Sequence, residues 1–405
     1  MSVYDCLVIG AGPAGLAYAS TIRKQNSVLV VDLGKPVEMR SRDNPEECVL
    51  GAGGAGLFSD GKFSFYPSGT KIWEHEATHL RIAYDMLRTD LAPFEEIPSF
   101  PKIDSKNHLK CDLGNWAFKY YPSTYLSLSD RIALIQKLVN RCLDIRYETE
   151  FIKYTLVDKR YKIEIKDIKS GSFETILAKR IVFAGGRFMP RFLDCPKQFR
   201  RYEFGFRIEA PSHLFPKKDS VDPKYILEFE NQGIECRTFC WCENGEVTPT
   251  QFKDIQTYSG RADCPPTGRN NFGFNFRVKD TALLADAVFN EVMHTKFYKE
   301  KLVDLPKVLD HFPSSLHNVV SFGISQLINL FPTLNSDEAF VLGPTIEGVG
   351  EYPAINTDSC IENQPNAYAI GDCNGTYRGI VASMLSGYHL ASQHNAEQPL
   401  SNSSL

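Results

Sequence analysis

The sequence lacks the stretches that a membrane protein or a nucleic-acid-binding protein requires. Among its 405 residues no apolar run reaches the roughly 18 residues that a membrane-spanning helix needs. The formal net charge is -4 and no long run of Lys and Arg is present, so a basic surface for nucleic acid is not expected. We therefore expect neither a membrane nor a nucleic acid as partner. Because a core strand begins at Tyr4, we also expect no cleavable signal and a cytoplasmic location.

Cysteines and histidines at the spacing of metal or redox sites are also missing. The 11 cysteines include no CxxC pair, and the two nearest in sequence, Cys240 and Cys242, have a spacing that does not suit a CxxC redox pair or a metal knuckle. The 9 histidines include no HExxH arrangement, and His75 and His79, which are four apart, lack a third ligand. We expect most cysteines to be buried and reduced, and we predict neither a metal nor a catalytic dithiol.

The pattern that organises the sequence lies at residues 4–32. An apolar run of strand length ends at a glycine-rich turn, and a helical segment, a second apolar run and an acid follow. This order is the dinucleotide-binding fingerprint, whose glycines permit a tight turn, close approach to a pyrophosphate and helix–strand packing. The alternative is a tight turn in an ordinary α/β domain. We assign cofactor-binding roles to Gly10, Gly12, Pro13, Ala14 and Gly15, and ribose binding to Asp32.

A second glycine-rich segment, residues 51–62, repeats the GxGxxG spacing but does not predict a second nucleotide fold. Its continuation, Ser59-Asp60-Gly61, is poor material for a helix. So many glycines favour a backbone that lies against a flat or charged ligand and donates N–H groups to it, although a flexible loop is the alternative. The residues assigned to cofactor binding here are Gly53, Gly54, Ala55, Gly56 and Ser59.

Strand patterns organise the rest of the sequence. Residues 147–184 predict a strand, a hairpin and a buried strand that ends at Gly185, as in a β-meander inserted into a parallel sheet. Alternating and aromatic strands between residues 204 and 278 predict an antiparallel sheet, with helical segments near 281–303 and 315–330. A last strand ends at Gly371, and a closing helix opens at Gly379.

Several segments resemble a known family. Gly10–Gly15, the Ala369-Ile370-Gly371-Asp372-Cys373 segment and Gly379-Ile380-Val381 resemble the FAD-binding fold of glutathione-reductase-like flavoproteins. More narrowly, the Gly53–Lys62 segment, with residues 204–209 and 236–246, resembles an uncharacterised family of FAD-dependent dehydrogenases, over nearly the whole chain.

The resemblance implies FAD as the cofactor. It implies that Asp372 binds ribityl or pyrophosphate oxygens, whereas a turn-forming acid is the alternative, and that the helix opening at Gly379-Ile380 points at the flavin. We also assign Phe151, Ala184, Gly185 and Gly371 to the cofactor.

The predicted fold class is α/β, with a Rossmann-like FAD-binding domain that contains a parallel sheet and a β-meander, and an α+β substrate domain with an antiparallel sheet. The expected bounds are 1–70, 126–200 and 336–395 for the three parts of the FAD-binding domain, 71–125 for a helical or irregular insertion, 201–335 for the substrate domain and 396–405 for a disordered tail.

Charged side chains near these motifs are the candidates for chemistry. Asp60 and Lys62 either lie near the flavin ring or form a solvated turn. Arg207 shares a strand face with Glu209, and the two are either an ion pair or a substrate anchor. Arg237 lies among apolar residues, where a guanidinium needs an anion. Together with Arg261 and Arg269, which we expect in the loop before the last strand of the sheet, these arginines predict a partly cationic pocket.

The function expected from these residues and this resemblance is an FAD-dependent oxidoreductase. It would transfer a hydride between flavin N5 and a small, polar organic substrate, with an anionic group on that substrate as one option. The electron donor or acceptor stays open, and NAD(P)H would bind transiently because a second nucleotide unit is not predicted. The alternatives are a flavoprotein that modifies RNA or another macromolecule, and a non-redox flavin-dependent lyase.

Overall fold

The computed structural model of the chain describes residues 2–22, 26–103, 109–113, 115–142, 144–217, 220–229 and 233–397. None of the helices in these ranges combines the length and the apolar character that crossing a bilayer requires. The helices are α1 (Pro13–Ala19), α2 (Ala77–Leu91), α3 (Leu128–Val139), α4 (Asp286–Met293), α5 (Leu305–Leu309), α6 (His317–Leu330) and α7 (Ile380–Glu397).

The strands form two large sheets and two hairpin-sized ones. They are β1 (Val3–Ile9), β2 (Val28–Val31), β3 (Lys62–Ser64), β4 (Leu109–Leu113), β5 (Trp116–Lys119), β6 (Ser123–Tyr125), β7 (Asp144–Arg146), β8 (Thr149–Val157), β9 (Arg160–Asp167), β10 (Phe173–Phe183), β11 (Lys197–Pro211), β12 (Lys224–Phe229), β13 (Ile234–Cys242), β14 (Glu246–Phe252), β15 (Ile255–Arg261), β16 (Arg269–Val278), β17 (Tyr298–Lys301), β18 (Phe340–Pro353) and β19 (Ala367–Ala369).

The first sheet is parallel at its centre. Its order is β7, β2, β1 and β10, and β19 pairs with the far edge of β10. Strand β1 is apolar at successive positions because both faces are covered. Cys6 and Val8 belong to the core that includes α1, α2, α3 and α7, whereas Leu7 and Ile9 pack on the β-meander side.

The meander is formed by β8, β9 and β10. The amino-terminal half of β10 pairs antiparallel with β9, and its carboxyl-terminal half pairs parallel with β1. The sequence predicted a hairpin followed by a separate buried strand, whereas in the structure the last part of the hairpin and the buried strand are one strand, β10. The strand predicted from Tyr147 starts at Thr149 instead, because Glu148 has a positive φ of 50° and separates β7 from β8.

The second sheet is antiparallel, in the order β17, β18, β11, β16, β13, β12, β5 and β4. One face is apolar and packs against helices α4–α6, with Phe204 and Phe274 fully buried. The opposite face carries polar side chains that are nevertheless buried, among them Arg207, Asn271 and Asn275. Buried polar side chains need partners, so this face marks the part of the sheet where a functional site is expected.

Three parts of the predicted architecture differ from the structure. Residues 71–125 do contain helix α2, but β4 and β5 extend the antiparallel sheet at β12, and β6 pairs with β3. The segment predicted as helical near 281–303 ends in β17, an edge strand whose Lys-Glu-Lys sequence carries no strand alternation. The hairpin of β14 and β15 was not predicted, since Pro249 argues against a strand. The domain boundaries stay a prediction.

The carboxyl-terminal helix is longer than expected. Helix α7 continues to Glu397, so the first two residues of the predicted tail are helical. The remainder, 398–405, lies outside the described residues.

Candidate functional site

A cavity of about 580 Å³ lies between the first sheet and the polar face of the second. Its walls come from the turn after β1, the glycine loop at residues 51–60, the β13 and β14–β15 region and the start of α7. Most residues that the sequence assigned to a cofactor meet here: Gly10, Gly12, Pro13, Ala14, Asp32, Gly54, Ala55, Gly56, Ser59, Phe151, Ala184, Gly185, Gly371, Asp372, Gly379 and Ile380 line the cavity, and Gly15 and Gly53 lie behind its wall.

The three glycines of the first turn have different reasons to be glycine. A Cβ on Gly10, whose φ is +109°, would lie 2.6 Å from the Ala184 carbonyl oxygen, and one on Gly15 would lie 2.0 Å from the Gly10 carbonyl oxygen. Both glycines are therefore required by packing. A Cβ on Gly12 would meet nothing closer than 3.9 Å, and Gly12 lines the cavity. The protein itself leaves room for a side chain at Gly12, so the absence of one fits a ligand at this place.

Asp32 is held at the end of β2 with its carboxylate towards this turn. Its Oδ2 accepts a hydrogen bond from the Ala11 N–H at 2.6 Å, and its Oδ1 accepts one from the Gly34 N–H at 2.8 Å. Burial raises the pKa of this carboxyl, although these N–H donors and Arg40 oppose the shift. Each oxygen can accept a further hydrogen bond from a ligand hydroxyl.

Arg40 shapes the glycine loop, and sequence reasoning missed it. Its guanidinium donates to the carbonyl oxygens of Ala52 at 2.5 Å, Gly54 at 3.0 Å and Glu47 at 2.6 Å. Burial lowers the pKa of Arg40 to about 10. Since these carbonyl groups turn towards Arg40, the loop is fixed by a side chain that lies well before it in sequence.

Asp372 occupies the wall near the start of α7. Its Oδ2 accepts from Arg378 at 3.2 Å, and Arg378 also pairs with Glu347 at 2.7 Å. The Oδ1 atom is buried and has no hydrogen-bond partner among the described residues. A buried carboxylate oxygen left unpaired is costly, so a ligand hydroxyl or N–H group in the cavity would complete its surroundings.

The Lys62 side chain lies inside the protein, so it is not the solvated lysine that the sequence left as an alternative, and Asp60 is half-buried beside it. The Lys62 Nζ atom is 3.0 Å from Asp60 and 3.2 Å from Asp222, and it donates to the Trp241 carbonyl oxygen at 2.7 Å. Burial opposes the charge of Lys62, but Asp222 and Asp60 outweigh it and hold its pKa well above the usual value. Asp222 was not singled out, because Asp-Pro in sequence signals no more than a turn.

Arg207 reaches the cavity, but not as a partner of Glu209. Its guanidinium donates to Asn271 Oδ1 at 3.0 and 2.5 Å and to the Cys240 carbonyl oxygen at 2.7 Å. Glu209 instead pairs with Arg269 at 3.2 Å. No carboxylate among the described residues forms an ion pair with Arg207, which is 1% exposed. A nearly unexposed cation with neutral acceptors leaves room for an anion nearby.

The other arginines do not join it. Arg237 alternates with Glu235 on β13 and pairs with it at 2.7 Å, away from the cavity. Arg261 and Arg269 lie on β15 and β16 rather than in a loop, and they pair with Glu246 at 2.7 Å and with Glu209. Of the four arginines from which a cationic pocket was predicted, Arg207 is therefore the one that lines the cavity.

Cys240 and Cys242 come together at this wall. The Sγ atoms of the two cysteines and a carboxylate oxygen of Asp60 all lie within 4.8 Å of one another, and the Cys240 thiol donates to Asp60 Oδ2 at 3.0 Å. Three groups of this kind are capable of holding a metal ion. The sequence spacing suggested no joint role for these cysteines, because it could not show how the end of β13 bends.

Comparison with known proteins gives matches in structure alone. No family model matches the sequence, and no curated protein matches it. A flavoprotein/dehydrogenase from Cytophaga hutchinsonii superposes with 14% identity and a TM-score of 0.42, over 98% of this chain and 80% of that chain. The myxobacterial FAD-dependent chondrochloren halogenase CndH superposes with 14% identity and a TM-score of 0.39, over 98% of this chain and 73% of that chain.

The rebeccamycin biosynthetic enzyme RebC, solved with reduced flavin, gives 13% identity, a TM-score of 0.40 and coverage of 98% of this chain. This chain covers 60% of the length of RebC. At such identities and TM-scores, the function of the chain has to be argued from its own site.

Proposed function

We propose that the chain binds FAD in the cavity and is a flavin-dependent oxidoreductase. The observation that carries the proposal is that two positions on the cavity wall each suit a part of FAD. One is the side-chain space left at Gly12, beside Asp32, and the other is the unpaired Oδ1 of Asp372 near the start of α7. The first suits a pyrophosphate and an adenosine ribose, and the second suits a ribityl or pyrophosphate group.

The roles of the residues follow from their contacts. Asp32 accepts hydrogen bonds from the ribose hydroxyls, and the backbone from Gly12 to Ala14 donates N–H groups to the pyrophosphate. Asp372 orients the ribityl chain, while the hydrogen bonds from Arg378 at 3.2 Å hold that carboxylate in place. The free N–H groups at the start of α7 stabilise negative charge at the flavin pyrimidine. When bound, the isoalloxazine supplies two-electron chemistry at N5.

The substrate is a polar organic molecule. The side of the cavity formed by the β14–β15 hairpin presents the hydroxyl-bearing residues Thr250, Thr257, Tyr258 and Ser259. Hydroxyl groups donate and accept, so they suit a polar, uncharged part of a ligand. Arg207 favours an anionic group on the same ligand, and hydride transfer between N5 and this substrate is the reaction that we propose. Assignment to the dehydrogenase family that the sequence resembles, and a cytoplasmic location, belong to the same proposal.

The test begins with the purified protein. Protein prepared without added flavin should be yellow, and denaturation should release FAD rather than FMN into the supernatant. A colourless protein that also fails to take up added FAD would refute the proposal. Anaerobic bleaching by candidate donors then separates an oxidoreductase from a lyase, in which turnover leaves the flavin spectrum unchanged. Retention on RNA at low salt would favour the macromolecular alternative.

A further inference from the structure

The end of strand β13 departs from regular strand geometry. Phe239 faces Gly273 and Cys242 faces Asn271, so three steps along β13 stand against two steps along β16, and β13 has one extra residue. Cys240 has a φ of 51°, in the left-handed region that residues other than glycine seldom adopt. Such a bulge bends a strand and redirects its side chains, and it is commonly found next to active sites.

The bulge brings two thiols to the cavity wall. Residues two apart on a strand are about 6.7 Å apart along the chain and point to the same face, and here the sulfur atoms of Cys240 and Cys242 lie within 4.8 Å of each other. Cys240 lines the cavity, and Cys242 lies behind it with 1% exposure. The strained backbone therefore serves to pair two sulfur atoms beside the space that the flavin occupies.

The surrounding charges favour a thiolate over a metal ion. Arg207 Nη2 lies 3.9 Å from the Cys242 sulfur, and the Lys62 ammonium lies 3.0 Å from Asp60. A divalent cation bound by Asp60, Cys240 and Cys242 would be repelled by both side chains, whereas an anionic sulfur is stabilised by them. The neighbouring Cys240 thiol, together with Lys62 and Arg207, lowers the pKa of the Cys242 thiol against the effect of burial.

Isolated buried cysteines elsewhere show the contrast. Burial raises the pKa of Cys6 to about 12, and it raises that of Cys373 well above its usual value. Among the described residues, neither thiol belongs to a cluster of three metal-ligating groups such as that of Asp60, Cys240 and Cys242. Cys240 and Cys242 therefore have a chemical setting that ordinary core cysteines of this chain lack.

We propose that Cys240 and Cys242 are a dithiol–disulfide pair that exchanges two electrons with the flavin. This inference rests on the proposed function. On oxidation the two S–H bonds break, the Sγ–Sγ bond forms, and two electrons and two protons pass to the oxidised flavin. The reverse step consumes reduced flavin and restores both thiols. Arg207, whose Nη2 lies 3.9 Å from the Cys242 sulfur, stabilises the thiolate that forms in passing during this exchange.

The experiment is an anaerobic reductive titration of the flavin-loaded protein after oxidation with diamide. FAD content is measured first from the visible spectrum, so failure to bind flavin is seen separately from failure of the pair. Wild-type protein should consume about twice as much dithionite per flavin as the Cys240→Ser and Cys242→Ser variants. Cys142→Ser, three residues after the end of α3 and outside the cavity, is the matched control and should behave as wild type.

Peptide mass provides a second readout that does not depend on the variants folding. Trypsin cleavage after Arg237 and Lys253 releases residues 238–253, in which Cys240 and Cys242 are the cysteines present. After diamide the peptide should be lighter by two hydrogens and resist alkylation, and reduction of the flavin should restore two alkylatable thiols. Equal dithionite consumption in all proteins, two alkylated thiols after diamide, or stoichiometric zinc that Cys242→Ser loses would each overturn the inference.

Discussion

The ammonium of Lys62 lies 3.2 Å from the carboxylate of Asp222, although the two residues are far apart in sequence. Lys62 belongs to the segment that follows the glycine loop, whereas Asp222 precedes β12 and accepts hydrogen bonds from the Trp241 N–H and the Tyr121 hydroxyl. This buried contact joins the two walls of the cavity.

Replacing Lys62 by Met should therefore destabilise the protein and loosen the cofactor together. The substitution leaves the carboxylates of Asp60 and Asp222 buried without their cation, which costs about 3 kcal/mol. Urea unfolding followed by circular dichroism measures the loss. The matched control is Lys71→Met, which removes a surface pair with Glu74 and should change stability by less than about 1 kcal/mol. Equal stability of Lys62→Met and wild type would show that this contact does not form in solution.

Substitutions of the first-turn glycines should separate cofactor binding from folding. Gly12→Ala should fold with wild-type stability, because its Cβ has open space, yet bind FAD at least tenfold more weakly, since the methyl group enters the pyrophosphate position. Gly15→Ala should fail to fold or lose several degrees of Tm, since its Cβ would overlap the Gly10 carbonyl oxygen. Fluorescence titration with FAD and thermal unfolding of the flavin-free proteins test both. A Gly12→Ala variant with unchanged FAD affinity contradicts this assignment.

Stability should fall in acid because of two buried histidines. Burial, together with the charges of His75 and His79, lowers the pKa of His389 to about 3, and burial and Arg180 lower that of His394 to about 3, from the usual 6.5. Between about pH 3 and pH 6.5 the unfolded chain binds protons that the folded chain does not. The free energy of unfolding therefore increases with pH through this window, and the contribution of these histidines is fully present above it. At about pH 5 each histidine should lower the free energy of unfolding by about 2 kcal/mol relative to neutral pH.

Urea unfolding at several pH values measures this slope. His389→Gln should make the dependence shallower, because a neutral amide takes up no proton, whereas His213→Gln, at an exposed position, should leave it unchanged. The same slope in the His389→Gln variant and the wild type would rule out His389 as a source of the acid sensitivity.

Arg207→Met should weaken binding of an anionic ligand while FAD stays bound. The guanidinium contacts the polar face of the sheet rather than any residue assigned to FAD. Benzoate as a probe carboxylate should perturb the flavin spectrum of wild type at concentrations about tenfold lower than for the variant. Arg269→Met, on β16 outside the cavity, is the control. Loss of FAD or of the fold in Arg207→Met alone would mark Arg207 as a structural residue.

Local pattern was enough to predict the parallel sheet and its first turn. The apolar run of β1, the glycines after it and Asp32 lie close together in sequence, so their spacing alone predicts their arrangement in the structure. The meander was predicted for the same reason, because β8 and β9 are joined by a short turn. The antiparallel sheet was predicted as a class, but the membership of β4, β5 and β17 depends on pairing between distant segments that no local pattern encodes.

The same limit applies to the site. Glycines were identified because a turn dictates them, whereas Arg40, Asp222 and Asn271 act through contacts that the fold alone brings about. The roles of Arg207 and Arg237 could not be distinguished in sequence, since both alternate correctly on their strands. Their roles differ because Arg207 lies at the cavity and Arg237 lies farther along the sheet. These positions are set by the register between the paired strands.

The position of α7 has a consequence for how the protein is made. Gly10 is synthesised before Gly379 and Ile380, which contribute another part of the cavity wall. Without α7, the apolar surface of α1 that this helix covers would be exposed, and the cavity would lack the wall that α7 supplies. If the cavity binds FAD as proposed, the binding site is therefore complete only after α7 has been synthesised and has packed on α1.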